Sequence, residues 1–239
     1  MKINLIIIGC GGTGSYLDPV VRYLYYKTNL QEICLIDGDI LEERNLGRQN
    51  FPNNPTEKVS KAEALLSRYK QFCCPKKAVK RYVLDLREFT NANKDVTNIV
   101  ISSVDNLYSR KRHIETLLQS DINFVFITPG NDYDFGQVIS FARISGVQEG
   151  INPLDQFDHW ANTPNDAPKN NGNNCHLEAY NKPQLITANV FSAALVLYVL
   201  TNLLEKDKLC TWIKFELFNP FLVAENIELV ELSLEGKKC

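Results

Sequence analysis

No charge of one sign dominates this chain. Its 26 Lys+Arg stand against 28 Asp+Glu, a net charge of -2 over 239 residues. A global basic field that would gather nucleic acid or anionic lipid is therefore missing, and only a local patch could serve. Glycine and proline, at 12 and 10 residues, are too sparse for a collagen-like or low-complexity polymer. Cysteine comes as an odd seven in a chain long enough to bury its own core, which argues against a disulfide-stapled secreted scaffold. Cys-x-x-Cys pairs are absent. The apolar run Leu5–Ile8 is short, has no cleavage pattern behind it, and reads as a buried strand rather than a leader. One stretch, Leu185–Leu204, has the length to span a bilayer. It carries Thr187, Asn189, Ser192, Thr201 and Asn202, which lipid would leave poorly partnered, so a buried or interface-forming helix is expected. The expectation is a cytoplasmic protein with reduced thiols and neither a membrane nor a nucleic-acid partner.

What is present is an alternation of elements. Ile3–Ile8 is apolar except for Asn4, as suits a parallel strand covered on both faces. Gly9–Gly14 makes a turn. Ser15–Tyr26 then places Leu17, Val20, Val21 and Leu24 at helical spacing, with Pro19 tolerated in the first turn. Glu32–Ile36 reads as a second strand ending at Asp37-Gly38-Asp39, Lys58–Tyr69 as a helix and Val79–Leu84 as a strand. Ile99–Val104, Ser109–Leu118 and Phe124–Thr128 continue as strand, helix and strand. The alternation predicts an α/β, Rossmann-like, doubly wound and mostly parallel sheet. Beyond about residue 130 the pattern changes. Gln137–Ile144 alternates like a strand with one exposed face, and Gln148–Lys182 is polar and aperiodic. After the long helix, Thr211–Phe218 and Asn226–Leu234 complete an antiparallel C-terminal extension. One domain, 1–239, is expected, with a crossover loop at about 148–182.

Gly9-Cys10-Gly11-Gly12-Thr13-Gly14 satisfies G-x-G-x-x-G between a strand and a helix. Glycines at Gly9, Gly11, Gly12 and Gly14 permit positive φ and let a phosphate approach backbone N–H groups, while the helix start adds partial positive charge. Asp37, ending the next strand, can accept hydrogen bonds from ribose hydroxyls. The constellation indicates a nucleotide site in residues 1–130 without choosing the nucleotide. Its bland alternative is a glycine turn that only packs helix on sheet.

The succession that follows is more particular: Glu43-Arg44-Asn45-Leu46-Gly47-Arg48-Gln49-Asn50-Phe51, then Lys58-Val59-Ser60-Lys61-Ala62. With Gly9–Ser15, Val104-Asp105-Asn106 and Arg110, it resembles the superfamily of ThiF, MoeB and the ubiquitin-activating enzymes. The likeness covers Lys2 to about Gly130 and resumes at Cys175-His176-Leu177-Glu178-Ala179. The resemblance implies ATP-dependent adenylation of a carboxylate with release of pyrophosphate. Its expected substrate is the C-terminal Gly of a small ubiquitin-like or sulfur-carrier protein, and its expected assembly a homodimer. The chain lacks room for the extra domains of the large eukaryotic activators, so a stand-alone bacterial-type enzyme fits better.

Chemistry agrees with the residues so assigned. Arg48 and Lys61 can supply positive charge around the phosphates, Asp105 an oxygen ligand for Mg²⁺, Asp37 a hold on ribose, and Asn45 a hydrogen bond to phosphate or nucleophile. Each has a plainer reading: Arg48 and Lys61 as solvated charges, Asp105 as a cap for the helix near Ser109. For Asp39 the plainer role, capping the turn after the second strand, is preferred. Cys175 lies where relatives form a thioester or persulfide, and is equally readable as an incidental loop cysteine; His176 beside it is given no role. Cys10, Cys34 and Cys210 read as small apolar fillers, and Cys73, Cys74 and Cys239 as surface or packing residues. Relatives often hold a structural zinc through two Cys-x-x-Cys pairs; here Cys175-His176, His159 and His113 lack zinc spacing, and no structural zinc is expected. Bacterial relatives commonly lend an arginine from a helix before the first strand; with the strand beginning at Ile3, that arginine is expected to be missing or supplied elsewhere. The other readings of the sequence are activation of a different carboxylate or carbonyl, such as a peptide C-terminus or modified tRNA base, an NAD-dependent oxidoreductase, and a non-catalytic nucleotide-binding module.

Overall fold

A computed structural model describes residues 1–52, 58–164, 185–218 and 225–231, the last as backbone only. Central in the parallel half of the sheet is β1 (Lys2–Ile8), with β2 (Asn29–Ile36) and β4 (Val96–Ser102) parallel on its two sides. Outside them lie β3 (Lys76–Val79), on β2, and β5 (Asn123–Asn131), on β4, also parallel. The order β3-β2-β1-β4-β5 reverses direction at β1, which opens a crevice at the carboxyl ends of the strands. From β5 the sheet turns antiparallel. β6 (Phe135–Ile144) returns along β5, its first half pairing with β8 (Lys208–Glu216) and its second with β7 (Val147–Gly150). β9 (Glu225–Glu231) follows on β8, giving nine strands among the described residues.

Alternation along β1 divides the core between two faces. Ile3, Leu5 and Ile7 pack with α1 (Asp18–Lys27), α3 (Lys61–Leu66) and the long α7 (Ile186–Lys206). Ile6 and Ile8 pack on the other face with Ile114 and Leu117 of α4 (Leu107–Leu118) and with Trp160 of α6 (Asp158–Ala161). Burying each such side chain contributes roughly 1.5–3 kcal/mol. Asn4, the polar exception in β1, is buried with its Nδ2 donating to the Phe89 carbonyl and to Asn98 Oδ1, both at 2.9 Å. Both of its amide N–H donors are thereby paired, while Oδ1 has no partner among the described residues.

Three of the departures from the expected boundaries bear on the site and its surroundings. The helix expected over 58–69 begins only at Lys61, because Val59 and Ser60 pair with the backbone of Ile40 and Leu41 instead. The strand expected at 79–84 ends at Val79; Lys80–Leu84 leave the sheet, where the Val83 carbonyl faces His113 Nε2 at 2.8 Å. The stretch read as aperiodic from 148 holds the end of β7, α5 (Pro153–Gln156) and α6 as far as residue 164. Asn152 caps α5, accepting from Leu154 N at 3.2 Å. Lys111 Nζ from α4 donates to the carbonyls of Ala161 and Thr163 at 2.9 and 2.8 Å. Residues 165–184, including Cys175 and His176, lie outside the described residues, as does Cys239.

α7 is long and apolar enough to cross a membrane by length and composition, but half of its most apolar window is buried on the sheet. Two of its polar residues bond to the helix's own backbone: Thr201 donates to Leu197 O, and Asn202 to Tyr198 O, both at 2.9 Å.

Candidate nucleotide-binding site

The loop after β1 closes tightly at the crevice. Gly9 has φ of +85°, and a side chain there would begin 2.8 Å from the Ser103 carbonyl carbon; one on Gly14 would begin 1.9 Å from the Gly9 oxygen. Only glycine meets both demands. Ser103 Oγ, past the end of β4, donates to the Gly9 carbonyl at 2.7 Å and fixes the turn from the other side of the crevice. A 3₁₀ turn, Thr13–Tyr16, precedes α1, so the helix starts at Asp18 rather than at Ser15.

Asp37 is buried, and backbone donors engage both of its oxygens: Cys10 N to Oδ2 at 2.6 Å and Asp39 N to Oδ1 at 2.8 Å. Burial raises its pKa, opposed by those two hydrogen bonds. Each oxygen keeps a lone-pair direction, so the carboxylate can still accept from a ribose hydroxyl. Cys10 itself is buried, with its thiol pKa pushed far up by burial and then by Asp37; it is the filler that the sequence suggests.

Asp39 is not a cap. The N-cap of α2 (Glu43–Leu46) is Glu42, and Asp39 instead accepts from Lys61 Nζ at 2.7 Å and from the Tyr82 hydroxyl. Burial pushes the Asp39 pKa up, but the bonds from Lys61 and Tyr82 outweigh it and the net shift is downward. Lys61 is only 6% exposed, so it is no solvated surface charge. Asp105, by contrast, is exposed, and its cap role is taken by Asn106, whose Oδ1 accepts from Ser109 N at 2.8 Å. Arg110 reaches back from α4 to give two hydrogen bonds to the Val104 carbonyl at 2.9 and 2.6 Å; burial pulls its pKa down to about 10, and Asp105 opposes that shift.

The segment after α2 runs beneath the loop. Asn45 is buried, and its Oδ1 accepts from Glu42 N at 3.0 Å in a capping box, so that oxygen is structural; only its amide N–H groups remain for a ligand. Gln49 Nε2 lies 3.6 Å from where a side chain on Gly11 would begin. Arg48 is half-buried; its backbone N–H donates to the Asn45 carbonyl at 3.1 Å, and its guanidinium makes no hydrogen bond or ion pair among the described residues. From the opposite side Asn189, in the first turn of α7, accepts from Thr13 Oγ1 at 3.4 Å and from Asn131 Nδ2 at 3.0 Å. Gln49 Oε1 and Asn189 Nδ2 are buried without a hydrogen-bond partner among the described residues. Two orphaned polar atoms flanking a glycine loop suit a polar ligand that satisfies them, since each otherwise costs about 1–3 kcal/mol.

Residues 2–219 match the ThiF family. The chain belongs to the ThiF family. Its fold is shared with E. coli MccB solved with ATP, at TM-score 0.60 and 17% identity over 95% of this chain and 63% of that one. It is also shared with MccB, a Microcin C7 biosynthetic enzyme, in complex with N-formylated MccA (TM-score 0.55, 18% identity, 95% and 64% coverage), and with PaaA (TM-score 0.54, 17%, 95% and 64%). This chain thus spans less than two thirds of the length of those proteins. No curated protein sequence matches it.

For this ThiF family member the structure gathers most of the residues singled out in its sequence. Gly9–Gly14, Asp37, Asn45, Lys61 and Asp105 stand on the loops at the carboxyl ends of β1, β2 and β4, or directly against them. Among the described residues no group of three His, Cys, Asp or Glu could hold a metal alone. Asp105, whose described contact is a weak one from Asn106 Nδ2 at 3.4 Å, has the free carboxylate that Mg²⁺ uses when phosphates complete its shell. Sequence reasoning gave no part to Tyr82, Asn131 or Asn189. They come from separate elements that no linear motif links. Arg110 was visible in the motif without a stated role.

Proposed function

We propose that this chain is an ATP-dependent adenylyltransferase acting on the C-terminal carboxylate of a small protein or peptide. The carrying observation is the meeting, at one topological switch point of a ThiF-family sheet, of the glycine loop and Asp37 with the Lys61–Asp39 pair and the free Asp105. ATP, when bound, supplies the adenylyl group that the acceptor carboxylate takes at the α-phosphorus, with pyrophosphate leaving. In this reading Asp37 holds ribose, and loop N–H groups with Asn189 Nδ2 and Gln49 Nε2 donate to phosphate oxygens. Lys61 and the unpaired Arg48 carry the positive charge that an anion attacking a polyanion requires. Asp105 offers Mg²⁺ one protein oxygen. Hydride transfer from a dinucleotide would leave Lys61, Arg48 and Asp105 without work. Pyrophosphate–ATP exchange with a candidate acceptor tests the reading, and calorimetric titration with ATP–Mg²⁺ against NAD separates it from an oxidoreductase.

Acceptor, thiol and assembly belong to the same proposal. A carrier ending in glycine is the acceptor that the family resemblance suggests, and the likeness to MccB bound to MccA supports offering short peptides beside it. Cys175 is the proposed site at which the activated acyl group passes to a thiol. A thiol-labile adduct that disappears in Cys175→Ala would support this, and equal yield in the variant would end it. The outer face of α7 exposes Ile186, Val190 and Tyr198, 46%, 44% and 40% accessible, beside a groove of ≈ 540 Å³ lined by Tyr16, Pro19, Arg22, Arg68 and Leu197. This face supports a homodimer, and a cytoplasmic location is part of the proposal. A monomer mass in light scattering at micromolar concentration would contradict the dimer.

A further inference from the structure

Tyr82 is 76% accessible, yet it is held at two points. Three of its ring carbons lie 2.9 Å from where a side chain on Gly38 would begin, so the ring sets its face, not its edge, against the backbone between Asp37 and Asp39. Its hydroxyl donates to Asp39 Oδ1, while Asp39 Oδ2 accepts from Lys61. An exposed tyrosine has little reason of packing to be fixed in this way. The contact leaves the second face of the ring open, one residue from the carboxylate assigned to ribose. The hydrogen bond to Asp39, then burial and the charges of Asp39, Asp37 and Asp105, push the pKa of its hydroxyl up.

A base attached to a ribose on Asp37 must leave the phosphates behind and continue outward along that rim. There it meets an aromatic face that is already oriented, and π-faces stack with a purine without needing an edge contact. Resting on the nucleotide reading above, we propose that Tyr82 is a positioning residue whose open ring face is the platform for the purine, with Asp39 as the anchor that keeps the platform level. The same anchor ties the base side of the site to Lys61 on the phosphate side.

The test needs no acceptor. Binding of ATP, GTP, CTP and inorganic tripolyphosphate, each with Mg²⁺, is measured by calorimetry for wild type, Tyr82→Phe, Tyr82→Leu and Tyr82→Ala. Loss of a base–aromatic stack is expected to weaken ATP and GTP about tenfold in Tyr82→Ala and Tyr82→Leu, CTP less, and tripolyphosphate not at all. Tyr82→Phe keeps the ring on Gly38 and should stay within about threefold of wild type for ATP, the loss of one anchoring hydrogen bond. ATP binding unchanged in Tyr82→Ala overturns the platform and leaves the nucleotide reading standing. Equal weakening of ATP and tripolyphosphate also overturns it, since Tyr82 would then act only through Asp39 on Lys61. A wild-type protein that binds tripolyphosphate but no nucleotide overturns both. The exposure of the ring makes the variants foldable, which an unchanged thermal midpoint verifies.

Discussion

The backbone N–H of Cys10 donates to Oδ2 of Asp37 across 2.6 Å, and this bond locks the glycine loop to the end of β2. The carboxylate read as a ribose ligand is therefore also a closure of the loop that would receive the phosphates. Asp37→Ala should weaken nucleotide binding and, by deleting two hydrogen bonds to a charged acceptor, lower stability by about 3 kcal/mol. Asp37→Asn should lose roughly half of that, since one amide oxygen still accepts. Urea unfolding beside ATP titration measures both; an Asp37→Ala variant of wild-type stability would show that the loop closes without it.

Lys61 and Arg48 separate by their effect on the fold. Each alanine variant should slow pyrophosphate exchange by about 10²-fold, if both stabilise charge that develops in the transition state. Arg48→Ala should leave the thermal midpoint in place, because the Arg48 guanidinium has no described partner to lose. Lys61→Ala should lower it, because a buried ammonium paired at 2.7 Å is removed. Wild-type exchange in either variant would take that residue out of the mechanism.

Asp105 and Asn106 are neighbours with opposite duties. Asp105→Asn should raise the Mg²⁺ concentration needed for half-maximal exchange while stability stays within about 0.5 kcal/mol. Asn106→Ala should do the reverse, removing an N-cap worth about 1 kcal/mol with the Mg²⁺ requirement unchanged. A Mg²⁺ titration of the two variants decides it.

His113 makes folding sensitive to acid. Its Nε2 donates to the Val83 carbonyl at 2.8 Å, and Nδ1 accepts from Ser102 Oγ at 3.0 Å, the pattern of a neutral ring. Burial, aided by the Arg110 charge, lowers its pKa to about 4 from an ordinary 6.5. Above the unfolded value the ring is neutral in both states and its contribution is whole. As pH falls from 6.5 through about 4 the unfolded chain takes the proton first, so stability declines, by about 3 kcal/mol at most. Unfolding free energies between pH 7 and pH 4 should show this slope, and His113→Gln, which keeps a donor and an acceptor, should flatten it.

Much of this was legible because the chemistry and the periodicity sit on the same short segments. Ile3–Ile8 with the glycine loop, Asp37 at a strand end and the alternation of strand and helix patterns announce the parallel half of the sheet, while the run from Asn45 to Lys61 carries the family resemblance. Their individual duties were less legible. Asp39 looks like a cap in sequence because its partners, Lys61 and Tyr82, stand 22 and 43 residues away. Asn45 looks like a ligand because the capping box that takes its oxygen needs the backbone turn to be seen. The 58–69 and 79–84 boundaries shifted because backbone pairing with Ile40, and a histidine from α4, outweighed local propensity. Tyr82 had no signal at all, since an exposed tyrosine after a strand is ordinary until its ring is found on Gly38.

The place of β1 between β2 and β4 bears on the order of assembly. Its neighbour β2 follows almost at once in the chain, and the Cys10–Asp37 bond closes over 27 residues; on the other side Asn4 meets Asn98 across 94. Pairing over the longer separation waits on a larger loss of chain entropy. The glycine loop and the ribose carboxylate can thus come together in a chain whose β4 is still undocked, whereas Asp105 and Ser103 arrive only with that strand. On this ordering a chain would own half a site before it owned a whole one, and ligand bridging the two halves would report that β4 has found its place beside β1.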